Sequence, residues 1–505
     1  MADRVADQIS RRAYLNQCIS GDTGLYKLTP PFREPLTGRQ INEKRSPQLS
    51  GGSKHGGSRS PYHIHLPTLK FKERIRHFTW TWFTMTMATG GIANVIYHIP
   101  YDFRGRYAIG CMFFLLNIVL FIFNATMISL RFKYYPSTFK ASLLHPTESL
   151  FIPAWLISVG TILINVTEYG VTLNKAGYWL EETMNVLFWV YCGLAVAFSA
   201  GIYLIMWSTQ TFTISQMTPV WIFPAYPLLV IGPHAGVLAE NLSGTKALNI
   251  IVGGFVFQGI GFLVSLMIYA AFIYRLMTQK LPQESLRPGM FISVGPSGFT
   301  IAGVVTMGQT LPRVVPKDFM GDGELAGRVS LIMANWMGLW LWGLAIWFFL
   351  VSVGAHWSTL THGRMHFAMT WYSYVFPNTA LVTATFAIAR ALDSRPIRIL
   401  GCVMTCLLIL LWMTVFTFMI RAVIAKEILW PQKQEDRDEG GWKSQAVQEQ
   451  ARDEETPAWQ GSPDQVQDAG PENDTTVSVV SDGAMRQAMS ESPQRGRKKS
   501  AADMV

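Results

Sequence analysis

Between residues 70 and 430 the chain alternates apolar runs of 19 to 29 residues with short polar connections. The runs lie near 77–99, 108–130, 150–168, 179–206, 217–240, 247–275, 290–310, 327–352, 366–390 and 397–424. At about 1.5 Å per residue, each helical run crosses or nearly crosses a hydrocarbon core about 30 Å thick. Only a helix satisfies its own backbone hydrogen bonds there. The pattern therefore predicts an all-α polytopic membrane protein with ten transmembrane helices and both termini on one side.

The segments are of two kinds. Segment one carries Gly90 and Gly91, segment three Pro153, segment five Pro219, Pro224, Pro227 and Pro233, segment seven Pro296 and segment nine Pro377. The even segments have no internal proline. An interior proline removes a backbone donor and clashes with the preceding turn, so the odd helices should bend and leave a carbonyl in need of a partner. Water in a central cavity is one such partner. Gly and Pro are also enriched in membrane helices for packing alone, and Pro153 falls where a first turn tolerates it. The alternation favours five helical hairpins with the odd helices innermost.

Charge supports a membrane core. Only 15% of the residues are charged, against roughly 25% in soluble proteins. Residues 1–69 and 431–505 are polar and read as disordered tails, the second acidic; the transporter core of 70–430 holds 23 basic and 13 acidic residues. These basic residues lie between apolar runs and form no stripe with interleaved aromatics, which argues against a nucleic-acid partner. Counted by connection, 13 fall on the side of the termini and 10 on the other, a bias toward cytosolic termini. Five cysteines without a C-x-x-C read as small buried hydrophobes.

Four motifs carry a resemblance: HFTWTWFTMTMATGGIA (77–93), HPTESLFIPAW (145–155), RPGMFISVGPSGFT (287–300) and VFPNTALVTATFAIARAL (375–392). They resemble the fungal malic acid transport proteins of the tellurite-resistance and dicarboxylate transporter family, which also includes yeast-type sulfite efflux pumps and the slow anion channels of plant guard cells. The resemblance covers about residues 70–430. It implies five hairpins around an anion pore lined by kinked odd helices, commonly as a homotrimer. It also implies a plasma-membrane transporter of a small organic anion such as malate, with sulfite export as the alternative. No Walker A loop, H-E-x-x-H, G-x-S-x-G or C-x-x-C is present, so neither an enzyme nor a cofactor is expected and passive or proton-coupled transport remains.

A pore for small anions needs donors and positive potential without a deep trap. Thr86, Gly90 and Asn94 recur at i, i+4 and i+8 on segment one, and Ser293, Ser297 and Thr300 make a polar stripe beside Pro296. Phe376, Thr379, Thr383 and Arg390 share a face of segment nine, with Asn378 beside them. For any single hydroxyl, a bond back to its own helix is the competing reading. By resemblance, Phe376 is the aromatic that occludes the pore. Arg390 is the expected anion attractor at the outer mouth. Arg76, His77 and Arg421 open or close membrane segments, and the arginines there also suit headgroups. His145 and Glu148 form either a proton-uptake pair or a helix N-terminal cap. His234 in PHAG suits channel lining and a packing hydrogen bond equally.

Overall fold

The computed structural model describes residues 70–173, 177–362 and 367–429, leaving aside the side chains of 358–362. Both proposed tails lie outside the described residues, and within these all regular structure is helical. Ten α-helices exceed ten residues: α1 Phe83–Tyr97, α2 Arg106–Tyr134, α3 Ala154–Asn165, α4 Tyr178–Thr209, α5 Ile231–Asn241, α6 Gly244–Gln279, α7 Gly295–Val314, α8 Gly323–His362, α9 Phe376–Ala391 and α10 Arg395–Ile424.

The even helices are unbroken, at 29 to 40 residues, whereas the odd helices run 11 to 20 and each follows a separate short helical piece. Tight 3₁₀ turns at Trp80–Trp82, Pro219–Ala225, Glu284–Val294 and Met369–Tyr374 precede segments one, five, seven and nine, and a single turn at Glu148–Phe151 precedes α3. The prolines explain these breaks differently from the expectation of mid-helix kinks. Pro296 and Pro377 occupy the first turns of α7 and α9, and Pro153 is the residue before α3. In a first turn the missing N–H is an orphan in any case, so proline here starts an α-helix after a break. The Gly90–Gly91 pair, by contrast, lies inside an unbroken α1.

Among the described residues, eight helical stretches are long and apolar enough to cross a membrane. Burial separates them into two layers. Within the five even spans, 22 to 39% of the most apolar window is buried, against 72 to 100% for the stretches Glu148–Leu173, Pro219–Asn241 and Glu284–Val314. The even helices thus present exposed Leu, Ile, Val, Phe, Met and Trp outward, as a lipid-facing jacket requires.

Tyrosines serve carbonyls at the breaks. From α4, Tyr191 donates to the Pro227 carbonyl (3.1 Å) and Tyr203 to that of Trp221 (2.9 Å). Tyr269 of α6 donates to the Ser293 carbonyl (2.6 Å), and Tyr226, in the turn before α5, to that of Ile292 (2.5 Å). Each hydroxyl satisfies an acceptor that would be costly to leave bare in an apolar interior. Close backbone approach completes the inner layer: a Cβ on Gly298 would fall 2.8 Å from the Ala380 carbonyl carbon, and one on Gly303 2.5 Å from that of Gly232.

Candidate functional site

The inner segments meet first at an aromatic constriction. Phe376 opens α9, and its ring centroid lies 5.3 Å from that of Phe299 on α7 and 6.0 Å from that of Tyr226. Tyr226 and Phe299 complete the triangle at 6.2 Å, edge to face. All three are buried, and they close the space where segments five, seven and nine converge. The Tyr226 hydroxyl bond fixes one corner of the plug.

Above the plug, one face of α9 turns inward. Thr379 abuts Gly91 of α1, while Ala380 abuts Gly298 of α7. The strip of α9 between these contacts carries Phe376, Thr383 and Arg390 at helical spacing. Both threonines bond back to their own helix, Thr379 to the Phe376 carbonyl (2.6 Å) and Thr383 to those of Thr379 and Ala380 (3.1 and 3.0 Å). Their hydroxyls still hold acceptor lone pairs, and rotation frees a donor. Asn378 lies on another side of the helix and donates to the Tyr374 carbonyl (2.8 Å).

The remaining candidates divide by location. Thr86 pairs with Ser158 of α3 (2.7 Å), and the Gly90 carbonyl accepts from Asn165 (3.1 Å), which places both in the α1–α3 seam. Ser293, Ser297 and Thr300 face α6: Thr300 accepts from Gln258 (2.8 Å), and Ser297 is buried beside Tyr269. His234 lies against Thr167 (3.3 Å) and the Phe188 ring, between segments three, four and five. Before segment three, the His145 ring accepts from the backbone N–H of Glu148 (3.2 Å), as a cap does. The Glu148 carboxylate is ion-paired with Arg131, both fully buried, and Arg131 also donates to the Phe78 carbonyl (3.0 Å). Arg76 stacks over the Tyr135 ring, and His77 is buried beside it in sequence.

The other end of the inner helices forms a mixed-charge mouth. Asn94 of α1 donates to Glu168 (3.0 Å), which follows α3 on a π-helical stretch, Val166–Leu173, where the backbone is wound more widely. His98 lies 3.5 Å from the same carboxylate oxygen. Arg313 of α7 donates to the Glu240 carbonyl at the end of α5 (3.1 Å). Arg390 lies within electrostatic range of Tyr97, His98 and Glu240. All five odd segments thus converge at their C-terminal ends. The exposed Arg390 guanidinium makes no hydrogen bond to a described residue, leaving its donors available to an anion.

Of this mouth, sequence reasoning found Asn94 and Arg390 and missed Glu168, Glu240, His98 and Arg313. The signal was there: Glu168 is an acid at the end of a run of apolar residues, and intramembrane charge is costly enough to mark a site. Phe299 and Tyr226 were missed because aromatics are abundant in the apolar runs and only the fold brings these two together.

Broken, buried inner helices inside a jacket of long apolar helices, with an aromatic cluster at one depth and arginines at one end, are the architecture of a polytopic membrane protein. The chain belongs to the voltage-dependent anion channel (SLAC1) family, whose profile matches residues 77–420. Similar proteins include the malic acid transport protein of Schizosaccharomyces pombe, 30% identical over 74% of this chain and 85% of its own length. The sulfite efflux pump SSU1 of Arthroderma benhamiae is 26% identical over 70% of this chain and 93% of its own length. The family and these relatives are channels and transporters, not enzymes.

Proposed function

We propose that the protein carries C4-dicarboxylates such as malate across the plasma membrane, by ten crossings arranged as five hairpins, with cytosolic tails at 1–69 and 431–505. The observation that carries this reading is the convergence of segments five, seven and nine on the Phe376 plug at one depth, and of all five broken inner segments on the mouth that holds Arg390 and Arg313. The arginines concentrate anions, the α9 face with Thr379 and Thr383 offers hydroxyls to carboxylate oxygens, and the plug sets the conductance. Two arginines at the mouth suit a substrate with two carboxylates, and the relatives at 30% identity are named for malic acid. Homotrimeric assembly with one pore per subunit follows from the resemblance.

Sulfite is the competing substrate, since relatives at 26% identity are sulfite efflux pumps. Uptake of radiolabelled malate in yeast lacking its own transporter, with sulfite as competitor, separates the two. Saturable malate uptake that excess sulfite leaves intact supports the dicarboxylate reading. Sulfite efflux without malate uptake replaces it.

A further inference from the structure

Glu168 is the one acid of the mouth whose side chain is fully buried, and it sits on the rare π-helical stretch of segment three. One carboxylate oxygen accepts from Asn94 Nδ2 at 3.0 Å. Near it, at 3.5 Å, is His98 Nδ1, which also contacts the Asn94 carbonyl at 2.9 Å. A carbonyl only accepts, so Nδ1 holds a hydrogen and a neutral imidazole accounts for both contacts. The other oxygen, Oε2, is buried and has no hydrogen-bond partner among the described residues. A carboxylate with one oxygen satisfied by a neutral amide and the other bare is a group built to accept a proton.

Among the described residues, no counter-ion is in contact with Glu168. Glu240 faces Glu168 from segment five as a like charge. Arg390 and Arg313 lie within electrostatic range of Glu240 and stay exposed at the rim. From α2, Arg106 is occupied by Asp102 (2.6 Å) and by the Tyr97 and Ile99 carbonyls. From α4, Glu182 is paired with Lys246 of α6. Tyr169 donates to the Ala93 carbonyl (2.7 Å), Tyr97 keeps its phenol near the carboxylate, and His234 contacts the neighbouring Thr167. An anion held at Arg390 therefore lies at a mouth that carries two carboxylates.

We propose that Glu168 is a proton-binding site of the anion path: with a proton on Oε2 the mouth admits the anion, and as the carboxylate it turns the anion back. The proton comes from solvent at the mouth, forms the O–H bond on Oε2 and returns to solvent when the bond breaks, with no other covalent change. This inference rests on the anion-transport reading above.

Glu168→Gln tests it, because glutamine is the isostere of the neutral acid and keeps an oxygen for Asn94. The assay is radiolabelled malate flux into proteoliposomes of the full chain from about pH 5 to about pH 8, as the ratio of variant to wild type. Malate's own ionisation is common to both proteins and cancels in the ratio. The expected ratio is near one at the acid end and rises on the alkaline limb by up to about tenfold per pH unit, the limiting slope of one bound proton. Glu240→Gln should keep the wild-type slope. A constant ratio with measurable flux overturns the proposal alone, as does loss of the slope only in Glu240→Gln. A Glu168→Gln protein that fails to fold also counts against it, since its shape and charge are those of the admitting state. Absence of malate flux from both proteins at every pH overturns the transport reading itself.

Discussion

In the proposed function, Phe376 and Arg390 divide the work of selection at the residue scale, one by bulk and the other by charge. The Phe376 ring is held by Phe299 and Tyr226, so removing it takes one ring out of the cluster and leaves a cavity. Phe376→Ala should raise anion flux severalfold while lowering stability by about 3–5 kcal/mol, the usual cost of emptying a buried phenylalanine site. Flux in proteoliposomes alongside thermal unfolding in detergent reads both, and unchanged flux removes Phe376 from the gate. Arg390 is exposed, so its charge acts through screened solvent. Arg390→Gln should lower malate uptake by roughly threefold to tenfold at low ionic strength and by less in high salt, with surface expression intact. A loss independent of salt would mean that the arginine holds structure and does not steer anions.

Among elements, the division into broken and unbroken segments carries most of the architecture, and prolines made it legible. Pro296 and Pro377 stand in the sequence where helices restart. What stayed hidden depends on helix rotation, which spacing alone does not set. The stripe Ser293, Ser297 and Thr300 has the right period, yet it faces Gln258 and Tyr269 of α6, while Phe299 on the opposite side meets the plug. Glu168 was hidden for another reason: apolar residues thin out at 168, and the π-helical turn carries segment three on to Leu173. The buried Arg131–Glu148 pair shows how elements are fastened on the opposite side. It ties the end of α2 to the start of segment three and, through the Phe78 carbonyl, to the start of segment one. Glu148→Gln leaves an uncompensated buried guanidinium and should cost about 3–5 kcal/mol. The double replacement Arg131→Met with Glu148→Leu should recover most of it, since apolar pairs of similar volume often match a buried ion pair. Thermal unfolding of the three proteins in detergent checks this, and equal loss in the double variant would make the pair's geometry indispensable.

For the whole molecule, the number of crossings fixes which charges face which compartment. Among the described residues, eight stretches pass on length and composition together, and segments one and nine are not among them. α1 has 15 residues and follows a three-residue 3₁₀ turn, which at ~1.5 and ~2 Å per residue gives about 28 Å. α9 has 16 residues after a six-residue turn, about 36 Å by the same reckoning. Both lengths suit a hydrocarbon core about 30 Å thick, so ten crossings are physically available. Parity then separates ten from eight. Lys70 and Lys426 are exposed beyond the two ends of the helical core, and Arg313 is exposed at the mouth. With ten crossings seven lie between Lys70 and Arg313 and three between Arg313 and Lys426; without segments one and nine the counts are six and two. Single cysteines at these positions, labelled in intact cells with a membrane-impermeant thiol reagent, should therefore react only for Arg313→Cys. Lys70→Cys and Lys426→Cys should react only after permeabilisation. Labelling of all three on one side would reduce the count to eight and take the Phe376 helix out of the membrane-spanning set. Labelling of the two lysine sites alone in intact cells would keep ten crossings and turn the arginine mouth toward the cytosol, where it would collect anions for export.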